Sequence, residues 1–157
     1  MKAVLFAYHE VGAATLDAMI RNNVEVIAVF THRDDPSEGG WFRSVARISA
    51  DHGIPVHAPD DVNHAIWVER VRDMAPDALF SAHYRKMIGA DLLDVCPNRC
   101  YNIHASLLPK YRGRCPINWV LINGETETGV TLHHMTVAAD AGDIVGQTAV
   151  AIDEDDT

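Results

Sequence analysis

Three short, largely apolar runs, Ala3 to Tyr8, Val24 to Phe30 broken only by Glu25, and Ala78 to Ala82 broken only by Ser81, constrain this chain more than any other feature. A strand wetted on one face alternates apolar with polar residues. These runs do not alternate, so they read as strands covered on both faces, the pattern of a parallel sheet. Helical segments separate them. Thr15 to Arg21 carries Leu16, Met19 and Ile20, and Phe42 to Ala50 carries Val45, Ala46 and Ile48 before Gly53 closes it. Asp61 or Asn63 is placed to cap a helix whose buried face takes Ile66, Trp67, Val68 and Val71, with Glu69 and Asp73 on the wet side. Pro55 to His57 is a short extended piece, and Arg33 to Gly40, rich in charges and breakers, is a mobile loop. The expectation is an open α/β sheet.

Further strands follow. A helix from about Ala90 to Val95 stops at Cys96 and Pro97, and Cys100 to Ile103 enters a loop punctuated by Pro109 and Gly113. Pro116 to Ile122 has proline near a helix start and Asn123-Gly124 at its stop. Thr128 to Met135 and Asp143 to Ile152 read as paired strands near a sheet edge, joined by the small-residue loop Ala138 to Gly142 with its one carboxylate, Asp140. Asp153 to Thr157 has the residue types that start a helix.

Several function classes are excluded early. The first turn, Tyr8 to Gly12, lacks G-x-G-x-x-G, so NAD is not expected. With 13 basic against 22 acidic residues the net charge is −9, which disfavours a nucleic-acid or anionic-membrane surface. Lys110, Arg112 and Arg114 are a local exception, read as an anion contact or a solvated loop. The three cysteines, Cys96, Cys100 and Cys115, have no C-x-x-C spacing, which fits reduced thiols and a cytoplasmic chain. No apolar run is long enough for a leader or a membrane span. The 157 residues suit one compact domain, and 48% hydrophobic content suffices for its core.

The chemistry concentrates where strands end. Tyr8, Thr31, His83 and His104 all follow apolar runs, and the carboxyl edge of a parallel sheet is where ligands bind. Asn102 and His104 are two apart on a strand and so share a face. An amide N–H donates to an oxyanion developing on a carbonyl, and an imidazole moves a proton at neutral pH. Singly, His104 also fits a structural imidazole and Asn102 a turn residue. A carboxylate at Asp140 that fixes the imidazole's tautomer and raises its pKa would make the three a proton-handling set. A metal is not expected: His9, His83, His104, His133 and His134 form no H-E-x-x-H or H-x-H motif, and His133 and His134 point to opposite faces of a strand. Trp119 reads as core.

Asn102-Ile-His104, Ser106-Leu-Leu-Pro-Lys-Tyr-Arg-Gly113, Glu127-Thr-Gly-Val-Thr131 and Asp140-Ala-Gly-Asp143 resemble, in order and spacing, the signature of the folate-dependent formyltransferases. Phe6 to His9, Phe30 to His32, Asp60 to His64 and Trp67 to Arg70 are most similar to the branch acting on UDP-amino sugars, the formyltransferase domains of bifunctional polymyxin-resistance enzymes. The resemblance implies a Rossmann-like α/β fold, an open, mostly parallel twisted sheet with helices on both faces. It implies transfer of a formyl group from N10-formyltetrahydrofolate to the amine of UDP-4-amino-4-deoxy-L-arabinose, in lipid A modification and polymyxin resistance. His104 would then be the proton donor and acceptor, Asn102 the oxyanion stabiliser and Asp140 the carboxylate beside the histidine. Lys86, Met87, Ile88, Arg114, Thr136, Val137, Ala138, Ala139 and Asp140 would line the folate site. Tyr8, His9 and Arg112 would lie toward the nucleotide sugar. Residues 1–157 would be the catalytic domain, continued past Thr157 by more of the domain, with oligomerisation or a joined decarboxylase domain as further implications. Alternatives are another amine, such as another amino sugar nucleotide, glycinamide ribonucleotide or methionyl-tRNA, and a folate-binding module without turnover.

Overall fold

The computed structural model describes residues 1–35, 37 and 41–156. Of the loop expected over Arg33 to Gly40, Pro36, Glu38, Gly39 and Gly40 lie outside the described residues, as does Thr157 of the expected terminal helix start. The elements in order are β1 (Lys2–Ala7), α1 (His9–Arg21), β2 (Glu25–Phe30), α2 (Val45–Asp51), β3 (Val56–His57), α3 (Ala65–Asp73), β4 (Ala78–Ala82), α4 (Ala90–Leu93), β5 (Cys100–His104), α5 (Pro116–Ile122), β6 (Glu127–His134) and β7 (Ile144–Ala151). The chain divides into two compact units, Met1–Cys100 and Tyr101–Thr157. Among the described residues no helix is long and apolar enough to cross a membrane.

The first unit is a parallel sheet in which β1 lies between β2 and β4, with β3 beyond β2. Every residue of β1 after Lys2 is buried, which is why its sequence shows no alternation. Leu5 and Val29 pack with Leu16 of α1 and Val45 of α2. Each such side chain, taken wholly out of water, contributes about 1.5–3 kcal/mol. The helix α1 begins at His9 rather than at Thr15, because its first turns bury small residues, Gly12 and Ala13, that carry little apolar signal. Gly12 must be small: a Cβ there would stand 3.0 Å from the Ala7 Cβ and 3.1 Å from its backbone carbon.

Local polar groups shift the other boundaries. The α2 helix starts at Val45, three residues later than expected, because the Ser44 hydroxyl accepts the Arg47 N–H and caps it. The cap of α3 is His64, whose Nδ1 accepts the Ile66 N–H, and neither Asp61 nor Asn63. Asp61 instead accepts the Asn63 N–H, while the Asn63 amide bridges the Met87 carbonyl and the Gly89 N–H. That start places Val68 and Val71 inward and leaves Ile66 65% exposed, against the expected face. The α4 helix ends at Leu93, short of Val95.

The second unit is an antiparallel ladder, β5 on β6 and β6 on β7. Its register sets Asn102 opposite His133 and His104 opposite Thr131. Gly142 lies in the β6–β7 loop, where any Cβ would collide with the His134 carbonyl oxygen. Trp119, expected in the core, is 54% exposed, because the short α5 helix buries only Val120.

Candidate active site

Strand alternation carries Asn102 and His104 to one side of β5, and the loop after β6 brings a carboxylate to both. Asp140 Oδ1 accepts an N–H from Asn102 Nδ2 at 3.2 Å, and its Oδ2 accepts the Gly113 N–H at 3.1 Å. His104 Nδ1 stands 3.6 Å from Oδ2, and His133 Nε2 stands 3.5 Å from Oδ1. The Asp140 backbone is left-handed, φ 47°, a conformation uncommon outside glycine that aspartate adopts more readily than most residues. Burial pushes the Asp140 carboxyl up. The His104 charge and the Gly113 N–H act against that burial, and the carboxyl is held below the usual carboxylate value.

His104 is buried, and its Nε2–H donates to the Tyr111 carbonyl at 2.9 Å. With Asp140 on the other ring nitrogen, both nitrogens face acceptors, so the site accommodates a proton on either or both. The loop that supplies the Tyr111 carbonyl is itself tied down. The Ser106 hydroxyl donates to the Lys110 carbonyl at 2.7 Å, and the Thr131 hydroxyl donates to the Ser106 carbonyl at 2.6 Å. Thr131 also accepts the Leu108 N–H, while Gln147 of β7 donates to the Leu108 carbonyl and to Thr131. The Tyr111 hydroxyl donates to Glu125 at 2.7 Å. Together these groups make a fixed carboxylate, imidazole and amide, suited to moving a proton beside a carbonyl carbon.

Asn102, His104 and Asp140 are thus brought together. Asn102 differs from the expected free oxyanion donor, because its nitrogen contacts both Asp140 and His133, so an incoming oxyanion has to displace or share one contact. Thr136, Val137, Ala138 and Ala139 are exposed on the loop leading to Asp140, with the Thr136 hydroxyl donating to the Ala138 carbonyl. Arg112 and Arg114 are exposed.

The remaining candidates lie in the first unit. Lys86 is committed to structure, its ammonium donating to the Pro59 and Asp60 carbonyls. Met87 is 55% exposed, and Ile88 is 6% exposed. Tyr8 and His9 stand at the carboxyl end of β1, where Tyr8 lies under the Arg85 guanidinium at 4.6 Å and His9 Nε2 accepts from Arg85 Nη2 at 2.9 Å. His32 Nε2 accepts the Arg85 N–H, and burial, then the charges of Lys86 and Arg85, pushes the His32 pKa down. Sequence reasoning weighed His133 only as a metal ligand, and only the β5–β6 register reveals it as a neighbour of Asn102. Among the described residues no group of three His, Cys, Asp or Glu side chains is gathered to hold a metal ion.

A family model described as "Formyl transferase" matches residues 1–157. Among solved structures, the chain is similar to phosphoribosylglycinamide formyltransferase from Bacillus halodurans, with 27% identity, TM-score 0.82, and 100% of this chain and 83% of that one covered. It is similar in fold to WlaRD, a sugar 3N-formyl transferase crystallised with dTDP and 5-N-formyl-THF, at 23% identity and TM-score 0.74, covering 98% of this chain and 53% of that one. A formyltetrahydrofolate deformylase from Pseudomonas syringae pv. tomato shares the fold at 23% identity and TM-score 0.77, covering 99% and 53%. The whole-chain matches show the expected Rossmann-like α/β fold.

Proposed function

The chain belongs to the formyl transferase family and is a formyl-transfer enzyme, and from that premise we propose that it moves the formyl group of N10-formyltetrahydrofolate to the amine of UDP-4-amino-4-deoxy-L-arabinose in the cytoplasm, as a step of lipid A modification. The observation that carries the chemistry is Asp140 joined to both Asn102 and His104.

In the proposed reaction the folate supplies the formyl carbon. The amine nitrogen bonds to that carbon, the bond from the carbon to N10 breaks, and the amine's proton passes to N10, giving a formamide and tetrahydrofolate. His104 takes the proton and returns it. Asp140, held anionic, stabilises the imidazolium between those transfers. Asn102 donates an N–H to the oxyanion of the tetrahedral intermediate. Each residue has its orienting contact in the folded chain, which holds the three groups in one geometry before reaction.

The folate fits the loop before Asp140. Among the described residues the backbone N–H groups of Val137, Ala138 and Ala139 have no intramolecular hydrogen-bond partner, and a pterin ring presents an edge of mixed donors and acceptors that such exposed backbone matches. Arg114 is the exposed side chain of the same unit offered to the rest of that ligand, and the sequence likeness adds Lys86, Met87 and Ile88 as candidates. For the nucleotide sugar, the candidates are Tyr8 at the cap position of α1, His9 at its first position and, by the same sequence likeness, Arg112.

The sugar nucleotide is favoured by the sequence likeness over Phe6 to His9 and Asp60 to Arg70, and a glycinamide ribonucleotide is favoured by the 27% identity to the Bacillus enzyme. Formyl transfer from N10-formyltetrahydrofolate to each amine, followed by tetrahydrofolate release and mass of the product, decides between them. Formylated UDP-sugar is the expected product. Exclusive formylation of glycinamide ribonucleotide overturns the substrate, and folate binding without transfer to any amine overturns the enzyme reading.

A further inference from the structure

Resting on the reading above, we propose that His133 is a positioning residue for formyl transfer: as a neutral imidazole protonated at Nδ1, it holds the Asn102 carboxamide with its nitrogen end turned to Asp140. His133 is 1% exposed, on β6 directly opposite Asn102. Its Nδ1 is 2.9 Å from the His134 carbonyl oxygen, which can only accept, so Nδ1 carries hydrogen. Its Nε2 is 3.1 Å from Asn102 Nδ2, which can only donate, so Nε2 carries a lone pair. One tautomer satisfies both contacts.

The Asn102 amide is thereby oriented twice. One of its hydrogens goes to His133 Nε2 and the other to Asp140 Oδ1 at 3.2 Å. Flipping the amide would set its carbonyl oxygen against a carboxylate and an imidazole lone pair together. The 3.5 Å approach of His133 Nε2 to Asp140 Oδ1 places two acceptors side by side, and the Asn102 nitrogen is the donor that bridges them. The acceptor for Nδ1 is also built in. The His134 N–H donates to the Asp143 carbonyl, and the His134 carbonyl lies so close to Gly142 that no side chain fits there. An oxyanion arriving at Asn102 therefore meets an amide whose donor end is already set, and shares one of its two hydrogens.

The direct test is a two-bond proton–nitrogen correlation spectrum of the nitrogen-15-labelled chain at pH 7.5 without substrate, His133 being assigned by its absence from His133→Gln. A protonated Nδ1 with an unprotonated Nε2 is expected, and the opposite tautomer or a cation overturns the assignment. In kinetics, His133→Leu is expected to lower kcat roughly ten-fold, the equivalent of one hydrogen bond, with KM for N10-formyltetrahydrofolate unchanged. His133→Gln, whose carbonyl oxygen accepts from Asn102, recovers most of that loss. Wild-type kcat in His133→Leu, or a Gln variant as slow as the Leu variant, overturns the positioning role. Should His133→Leu fail to fold, the spectrum and the Gln variant decide. The spectrum is read without turnover, so a failure to formylate any amine refutes the proposed function while the tautomer is still decided.

Discussion

Replacing Asp140 with asparagine changes one atom type and tests the electrostatics of the site. Oδ1 accepts from Asn102 and Oδ2 accepts from the Gly113 N–H, so an amide here can satisfy one donor and must oppose the other. A buried polar group left without its partner costs about 1–3 kcal/mol, and exchanging a charged acceptor for a neutral one weakens the surviving bond by about 1 kcal/mol. Asp140→Asn is therefore expected to lose about 2–4 kcal/mol of folding stability at pH 7, read by urea unfolding with circular dichroism. The pH dependence has a definite sign. Because the folded-state pKa is depressed, the Asp140 contribution is fully present above the unfolded carboxyl value of about 3.9. It disappears as pH falls through the still lower folded-state value. The stability gap between the two proteins should hold from pH 7 down to pH 5 and narrow below pH 4. Equal stabilities at pH 7, or a gap that keeps its full size at pH 2.5, would falsify the role given to this carboxylate. Formyl-transfer rates should fall in the same variant.

Asn102→Ala removes the oxyanion donor and should cost ~3 kcal/mol of barrier, roughly a hundred-fold in kcat, with unfolding still cooperative; a kcat within three-fold of wild type refutes it. His104→Ala should abolish detectable transfer while folate binding, followed by fluorescence quenching, persists. Gln147→Leu leaves the Leu108 carbonyl without the side-chain donor it has from β7 and loosens the loop that presents the Tyr111 carbonyl to His104, costing about 1–2 kcal/mol in urea unfolding. Gly142→Ala should destabilise by about 1–3 kcal/mol through overpacking against the His134 carbonyl, and an unchanged unfolding midpoint would contradict that close approach.

The long-range plan of the chain was legible in its residues because burial on two faces leaves a run without alternation. β1, β2 and β4 were found that way within a residue or two, and α5 to the residue, since Pro116 and Asn123-Gly124 mark its ends. Strand periodicity alone put Asn102 and His104 on one face. Periodicity failed where size, rather than polarity, carried the message: the first turns of α1 are built on Gly12 and Ala13, chosen for close approach to Ala7. It failed again for Ile66 and Trp119, whose exposure depends on what packs over them and not on their own hydrophobicity. The tertiary structure alone decided that Asp140 reaches both Asn102 and His104, and that His133 lies opposite Asn102. Those contacts join residues 31, 36 and 38 positions apart through β-ladder register and a left-handed loop residue, and neither strand register nor loop path has a local sequence signal.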